Sequence, residues 1–379
     1  MKIRSFLGKC KRKLKKARNL AFMLTCQGGL SEQYVFQLYL QGIPPEQLMK
    51  YARLSETELT ALIRKEQTAY ALEAESIIRD SWGWPECRVS KCEVIYPHVW
   101  RVNDRFIMKA ARDEDKLKKD VTIAGLLAES AFEYEVPRYL DSMAGEPIYH
   151  NVVLMDRMKG DKPSVNGIWR NDAADDILFQ AGALLGKLHE ALNTLPIPGE
   201  FLPERCLESE GHTILKLLPI LRPAKYRLIK KEYRRLEKFR QVNPTTRIHG
   251  DMNQGNIMVD GSKVTGVLDF VECRVDSPIY DIAYFILELA MSYQAVRDNG
   301  LFIRRVRAFL SGICRGRHFT ETEIASLPTY LRILGCRFYV FFCVERIKPL
   351  KKIVRLAERL IERSIPELQD AFRAVNEDR

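Results

Sequence analysis

One stretch of the chain, RIHGDMNQGNIMVDGSKVTGVLDFVECRVDSPIYDIAYF, carries polar residues at spacings that chemistry could use. His249-Gly250-Asp251 is followed by Asn256, five residues after the aspartate. Asp269 stands thirteen residues further, closing the apolar run Val267-Leu268, and Asp281 comes twelve residues after that. A lone His-Gly-Asp is usually a turn, but the joint pattern suits phosphoryl transfer, which needs positioning and charge neutralisation more than covalent help. One carboxylate must sit where an acceptor hydroxyl arrives, to orient it and take its proton. Magnesium needs a few hard oxygen donors beside the phosphates, with phosphate and water completing its shell. A tight loop with one aspartate and one amide oxygen, faced by a second aspartate on a neighbouring β turn, meets both needs. Gly250 and Gly255 let such a loop turn sharply.

The pattern H-G-D-x4-N, then an apolar run ending in Asp269-Phe270, then Tyr280-Asp281-Ile282-Ala283, resembles the aminoglycoside phosphotransferase, choline kinase and homoserine kinase superfamily. The resemblance covers roughly residues 90–350, and its sharp part is 249–283. It implies transfer of the γ-phosphate of ATP, with Mg²⁺, to a hydroxyl of a small molecule. It implies Asp251 as catalytic base, Asn256 and Asp269 as Mg²⁺ ligands, and His249 as a brace of the loop. Asp281 would anchor the loop backbone from the following helix, with plain helix capping as the alternative. Lys109, ending the strand Phe106-Ile107-Met108-Lys109, would reach the ATP phosphates. Its acidic partner would be Asp120, in KDVTIAGLLAES, with Glu114 and Glu129 as rivals. Met155 and Arg157 fall in the segment Val152–Met158, which resembles the linker between lobes whose backbone would bind adenine. Ala183–His189 resembles a helix of the second lobe, with His189 structural. One departure is that VSKCEVIYPHVWRV, before Lys109, has no glycine, so a Gly-rich loop over the phosphates is missing.

These residues need two kinds of scaffold. Val94, Ile95, Val99, Trp100, Val102, Phe106, Ile107 and Met108 form short β-rich runs with turns at Tyr96-Pro97 and Asn103-Asp104, an antiparallel meander. A helix over about 114–130, a strand reaching Tyr139-Leu140 and a strand from Tyr149 to Met155 follow. From about 172 the chain reads as helical apart from a β-like pair around 257–269. The fold class expected is α+β: a two-lobed protein-kinase-like fold with a small antiparallel β lobe, a large helical lobe and an N-terminal helical extension. The divisions are a basic amphipathic arm (1–27), a small helix-turn-helix-like module (28–85), the first lobe (86–158) and the helical lobe with the catalytic loop (159–379). Within the module, 31–66 reads as three short helices, the third capped by Ser55 with Glu58 completing a capping box, and a further helical stretch covers 66–81.

Composition bounds the partners. The 379 residues are 46% apolar and 29% charged, ordinary for a globular protein. Net charge is +11, but nine basic residues from Lys2 to Arg18 stand in an arm without one acid, so the rest carries only +2. A near-neutral body gives no general case for nucleic acid. The helix-turn-helix-like run opens its third helix with Glu56, Thr57 and Glu58, which would repel phosphates. The arm could lie on a membrane surface or dock on its own protein. No secretory signal and no membrane-spanning run is visible. The nine cysteines lack metal or redox spacing and read as reduced thiols of a cytoplasmic protein. A second class of function stays open: a catalytically weak, structural or regulatory kinase-like protein of spore-coat type, or a regulator using the helical module. The acceptor is also open. Glu272, Asp276 and Glu288 could line a pocket for a cation, whereas Arg274 and the basic run Arg222 to Arg240 could favour an anion. Oligomeric state is not legible.

Overall fold

The stretch Glu56–Trp82 contains neither glycine nor proline, and it forms one helix, α1. Ser55 caps it, with the Glu58 amide donating to Ser55 Oγ (3.2 Å) and the Ser55 amide donating to Glu58 Oε2 (2.7 Å). Gly83 ends it in the left-handed conformation (φ 68°). The expected break near residue 66 is therefore absent, because nothing in the sequence there supplies a stop signal. The acids at 56 and 58 serve the cap and the positive end of the helix. This computed structural model describes residue 49 and residues 54–91, 99–111, 113–163, 173–203, 206–291, 297–344 and 348–378. The basic arm, most of the expected first two short helices and the centre of the glycine-free stretch lie outside the described residues.

The chain divides into two compact units, Met1–Lys109 and Ala110–Arg379. In the first, β1 (Val89–Lys91), β2 (Val99–Val102) and β3 (Phe106–Ala110) form the expected antiparallel meander. Val89 faces Val102, and Val102 faces Phe106 across a tight turn. Asn103 and Asp104 both take positive φ in this three-residue turn (49° and 55°), a backbone that asparagine and aspartate tolerate better than most residues. Helix α1 holds the sheet through Glu75, whose side chain accepts from the Val89 amide (3.1 Å).

The second unit opens with α2 (Glu114–Ala128). The strand expected over Tyr149–Met155 is instead a hairpin, β5 (Ile148–Tyr149) and β6 (Val152–Asp156), turning at His150-Asn151 with positive φ at both residues. Strand β4 (Tyr139–Leu140) flanks β6, with Tyr139 opposite Met155. Helices α3 (Ala174–Thr194), α4 (Cys206–Leu221) and α5 (Pro223–Val242) follow. Four short strands then alternate with loops: β7 (Thr246–Ile248), β8 (Ile257–Asp260), β9 (Lys263–Val267) and β10 (Arg274–Asp276). The β8–β9 hairpin is the pair expected near 257–269. The β7–β10 pair is additional. Helices α6 (Ile279–Met291), α7 (Asn299–Cys314), α8 (Glu321–Val344) and α9 (Lys348–Glu377) complete the unit.

Helix α6 is apolar almost all round and is buried along nearly its whole length, as a core helix must be. The helices α3 and α7 approach so closely that a Cβ at Gly182 would lie 2.0 Å from the Phe309 carbonyl oxygen, and one at Gly312 would lie 1.9 Å from that of Phe179. Among the described residues no helix is long and apolar enough to cross a membrane.

Candidate active site

Pairing of β7 with β10 sets Ile248 opposite Arg274, so the strand entering the His249–Asn256 loop and the strand leaving the Asp269 turn run side by side. The crossing is tight. Gly250 has φ 81°, and a Cβ there would lie 2.1 Å from the Glu272 carbonyl oxygen, so no side chain is tolerated.

The loop backbone is held from below by one carboxylate. Asp281, fully buried in the first turn of α6, accepts the His249 amide on Oδ2 and the Gly250 amide on Oδ1, both at 2.8 Å. His189, on α3, donates its Nε2–H to the same Oδ2 at 2.9 Å. Burial alone would raise the Asp281 carboxyl, but the hydrogen bond and charge of His189, with the Gly250 amide, bring it below the usual carboxylate range. His249 ties the loop to the next turn. Its Nε2 faces the Leu268 carbonyl at 2.9 Å and must donate, so Nδ1 is the acceptor for the Asp251 amide at 3.3 Å. The Leu268 amide in turn donates to the Asn256 carbonyl (2.8 Å), which continues the β8–β9 pairing into the site.

Asp251 is the carboxylate this frame presents. The Asn256 amide nitrogen donates to its main-chain oxygen (2.8 Å) and to Oδ2 (3.1 Å), and the Tyr284 hydroxyl donates to the same carboxylate. Burial pushes the Asp251 carboxyl up, Tyr284 and Asn256 hold it down in part, and Asp269 adds to the upward push. An Asx turn at Asn253, whose Oδ1 accepts the Gly255 amide (2.7 Å), shapes the loop between them. Asp269 has φ 66°, a costly backbone for a non-glycine residue and one found where a site over-determines it. The next amide, of Phe270, donates to Asp120 Oδ1 at 2.8 Å. Around Asp120, Lys119 donates to the Cys273 carbonyl and Lys116 pairs with Glu272 at 3.2 Å. Three residues of α2 thus grip the turn that carries Asp269.

The structure therefore brings together Asp251, Asn256, Asp269, His249, Asp281 and Asp120. Of the three candidate acids on or beside α2, only Asp120 is buried, while Glu114 and Glu129 are exposed. Lys109 ends the first unit near the close of β3. Met155 is buried on β6, and Arg157 lies just past the strand with its guanidinium on Asp161 at 3.2 Å. Because both Asn256 hydrogen bonds to Asp251 use Nδ2, its Oδ1 is left for a hard cation, and with Asp269 it makes the small oxygen set magnesium accepts when phosphates and water supply the rest. Among the described residues no cluster of three or more His, Cys, Asp or Glu suits a protein-only metal cage. Sequence reasoning missed Tyr284. The signal was there: Asp281, Tyr284 and Glu288 recur at i, i+3 and i+7, one polar face on an otherwise apolar helix.

Comparisons with known proteins bear on the family and the fold. Residues 96–324 match the family model described as "Phosphotransferase enzyme family". A homoserine kinase of Methylobacillus glycogenes is 41% identical over 93 residues, which are 24% of this chain and 28% of that protein. A homoserine kinase of Methylobacillus flagellatus is 27% identical over 223 residues, 54% of this chain and 67% of that protein. The chain thus spans about a quarter of the one relative and about two thirds of the other. Among solved structures, the GDP complex of aminoglycoside 2'-phosphotransferase-IIIa superposes with a TM-score of 0.56 at 16% identity, covering 78% of this chain and 99% of that one. That likeness shows the fold: the α+β, protein-kinase-like fold expected from the sequence.

Proposed function

Because this chain belongs to the phosphotransferase enzyme family, we propose that it moves the γ-phosphate of ATP, with Mg²⁺, to a hydroxyl of a small molecule. The observation that carries the reading is the presentation of Asp251: its backbone neighbours are clamped by Asp281 and its side chain is aimed by Asn256 and Tyr284. Asp251 orients the acceptor hydroxyl and takes its proton. Asn256 Oδ1 and Asp269 hold the metal, which when bound neutralises phosphate charge. Lys109 steadies the phosphates, Asp120 supports the Asp269 turn, and the backbone at Met155 and Arg157 holds the adenine.

The relatives named homoserine kinase support homoserine as the first acceptor to try. Glu288 supports an acceptor bearing an ammonium: burial, and then the charge of Asp251, push its carboxyl up to about 8, and no cation pairs with it among the described residues. An ammonium between these two acids would let Glu288 ionise.

The test is ADP release with Mg-ATP against a panel of amino alcohols, amino acids and sugars. Asp251→Ala should lower kcat by at least ~10²-fold while the protein stays folded. Near-normal turnover in that variant would sink the assignment. Failure of the wild-type protein to bind Mg-ATP at all would move the reading to a structural or regulatory role.

A further inference from the structure

The strongest unassigned feature is a groove of about 910 Å³ in the second unit, between the junction of α4 with α5 and the first half of α9. Arg222, Lys225, Arg355, Arg359 and Arg363 line it against only two carboxylates, Glu358 and Glu362. Both carboxylates are already engaged. Glu358 takes two hydrogen bonds from Arg222, each 2.7 Å, and Glu362 is held by Arg332 at 2.9 Å. No carboxylate pairs with Arg355, Arg359 or Arg363 among the described residues. These three repeat at i, i+4 and i+8, so they form one exposed row about 6 Å apart along the helix. Like charges at that spacing destabilise a helix. The opening of α9 adds Lys351 and Lys352 where the helix dipole disfavours cations, with no acid in the first turn. Apart from the contact of Arg355 with Tyr339, the fold gains little from this arrangement, whereas an anionic partner would.

The edges of the groove indicate which partner. Ile220 is 73% exposed and immediately precedes the lining residues Leu221 and Arg222, and Pro223 and Ala224 add further apolar lining. The Tyr339 ring carries the guanidinium groups of both Arg222 (4.4 Å) and Arg355 (5.0 Å). A nucleic acid would use the arginines but not an exposed isoleucine. A bilayer uses both, since apolar side chains enter the acyl boundary while bases meet lipid phosphates. We infer that the α5–α9 groove, with Ile220 beside it, is a docking surface for a membrane rich in anionic phospholipid. This surface is separate from the catalytic loop and does not depend on the phosphotransfer reading.

The experiment is flotation of the full chain with vesicles of phosphatidylcholine alone or mixed with phosphatidylglycerol, at low and high salt. Every variant keeps residues 1–27, so the basic arm contributes equally throughout. Wild-type protein should bind only the mixed vesicles, and less at high salt. The double variant R359Q/R363Q should raise the apparent Kd about 30-fold, the equivalent of about 1 kcal/mol for each base at the surface. Ile220→Ser should weaken binding while leaving its salt dependence in place, and the single variant R359Q covers the case in which the double variant folds poorly. Thermal midpoints should not fall below that of wild type, and ADP release should match it. Vesicle binding equal to wild type in all three variants overturns the inference, because the arm would then account for it. So does a wild-type protein that ignores vesicles, including one that binds duplex DNA or inorganic phosphate through the same arginines.

Discussion

The loop around Asp251 and the groove beside α9 are both rich in charge, yet they treat it in opposite ways. In the loop the side chains that hold the backbone in place meet partners: Asp281 takes three donors, His249 bridges two backbone groups, and Asn256 fixes Asp251. These groups are buried, where an unmet hydrogen bond is expensive and a met one is rigid. In the groove Arg355, Arg359 and Arg363 are exposed, of one sign, and without acids of their own among the described residues. The first arrangement is held rigid from within. The second is left unbalanced. Polar groups that a protein satisfies internally hold geometry, and those it leaves unsatisfied at the surface point outward to something else.

The sharpest way to break that contrast is at Asp281. Removing one partner from a buried, charge-assisted network leaves the others unsatisfied, so Asp281→Ala should cost about 3–5 kcal/mol in urea unfolding, and turnover should fall with it. The pH dependence has a definite sign. The folded carboxyl lies below its unfolded value, so its contribution is fully present above pH ~4 and is lost as pH falls through the folded value. The stability gap between wild type and Asp281→Asn should therefore narrow below pH ~4. A gap that stayed constant down to pH ~2 would show that the clamp is not ionic.

A smaller effect separates geometry from propensity. Gly250 and Gly261 both have positive φ (81° and 61°), but a Cβ at Gly261 meets nothing within 4 Å. Gly261→Ala should cost the backbone penalty alone, about 1–2 kcal/mol. Gly250→Ala should cost more and should also lower kcat, since the β7–β10 crossing must open to admit the methyl group. Equal losses in the two variants, or unchanged turnover in Gly250→Ala, would remove the claim that close backbone approach shapes the site.

The legible part of this molecule was the part where chemistry fixes spacing. Asp251, Asn256 and Asp269 stand at set intervals because one loop and one turn must present them together, and that survives in a single sequence. The Ser55–Glu58 box was legible for the same reason, being a local hydrogen-bonding unit. Long-range partners were not. His189 meets Asp281 across 92 residues, and nothing in the periodicity of α3 or α6 names that pairing. The grip of Lys116, Lys119 and Asp120 on residues 270–273 was hidden likewise, because tertiary packing decides which face of α2 turns inward. Short strands such as β7 and β10 carry too few residues to show alternation. The His150-Asn151 turn was overlooked since two non-glycine residues with positive φ are uncommon, although asparagine tolerates that backbone better than most.

The smallest predicted effect tests the groove without any lipid. If Arg355, Arg359 and Arg363 repel one another along α9, then Arg359→Gln removes two like-charge contacts at once, one on each side. Each such contact is worth about 0.2–0.5 kcal/mol, so the variant should be more stable than wild type by about 0.4–1 kcal/mol in low-salt urea unfolding. Salt shortens the range of that repulsion, so the gain should fade as ionic strength rises toward ~1 M. A stabilising surface substitution that also weakens vesicle binding is the signature of charge kept for a partner at a cost to the fold. If Arg359→Gln instead destabilises the protein, or its effect ignores salt, the arginine row is part of the scaffold and the distinction between the two regions fails.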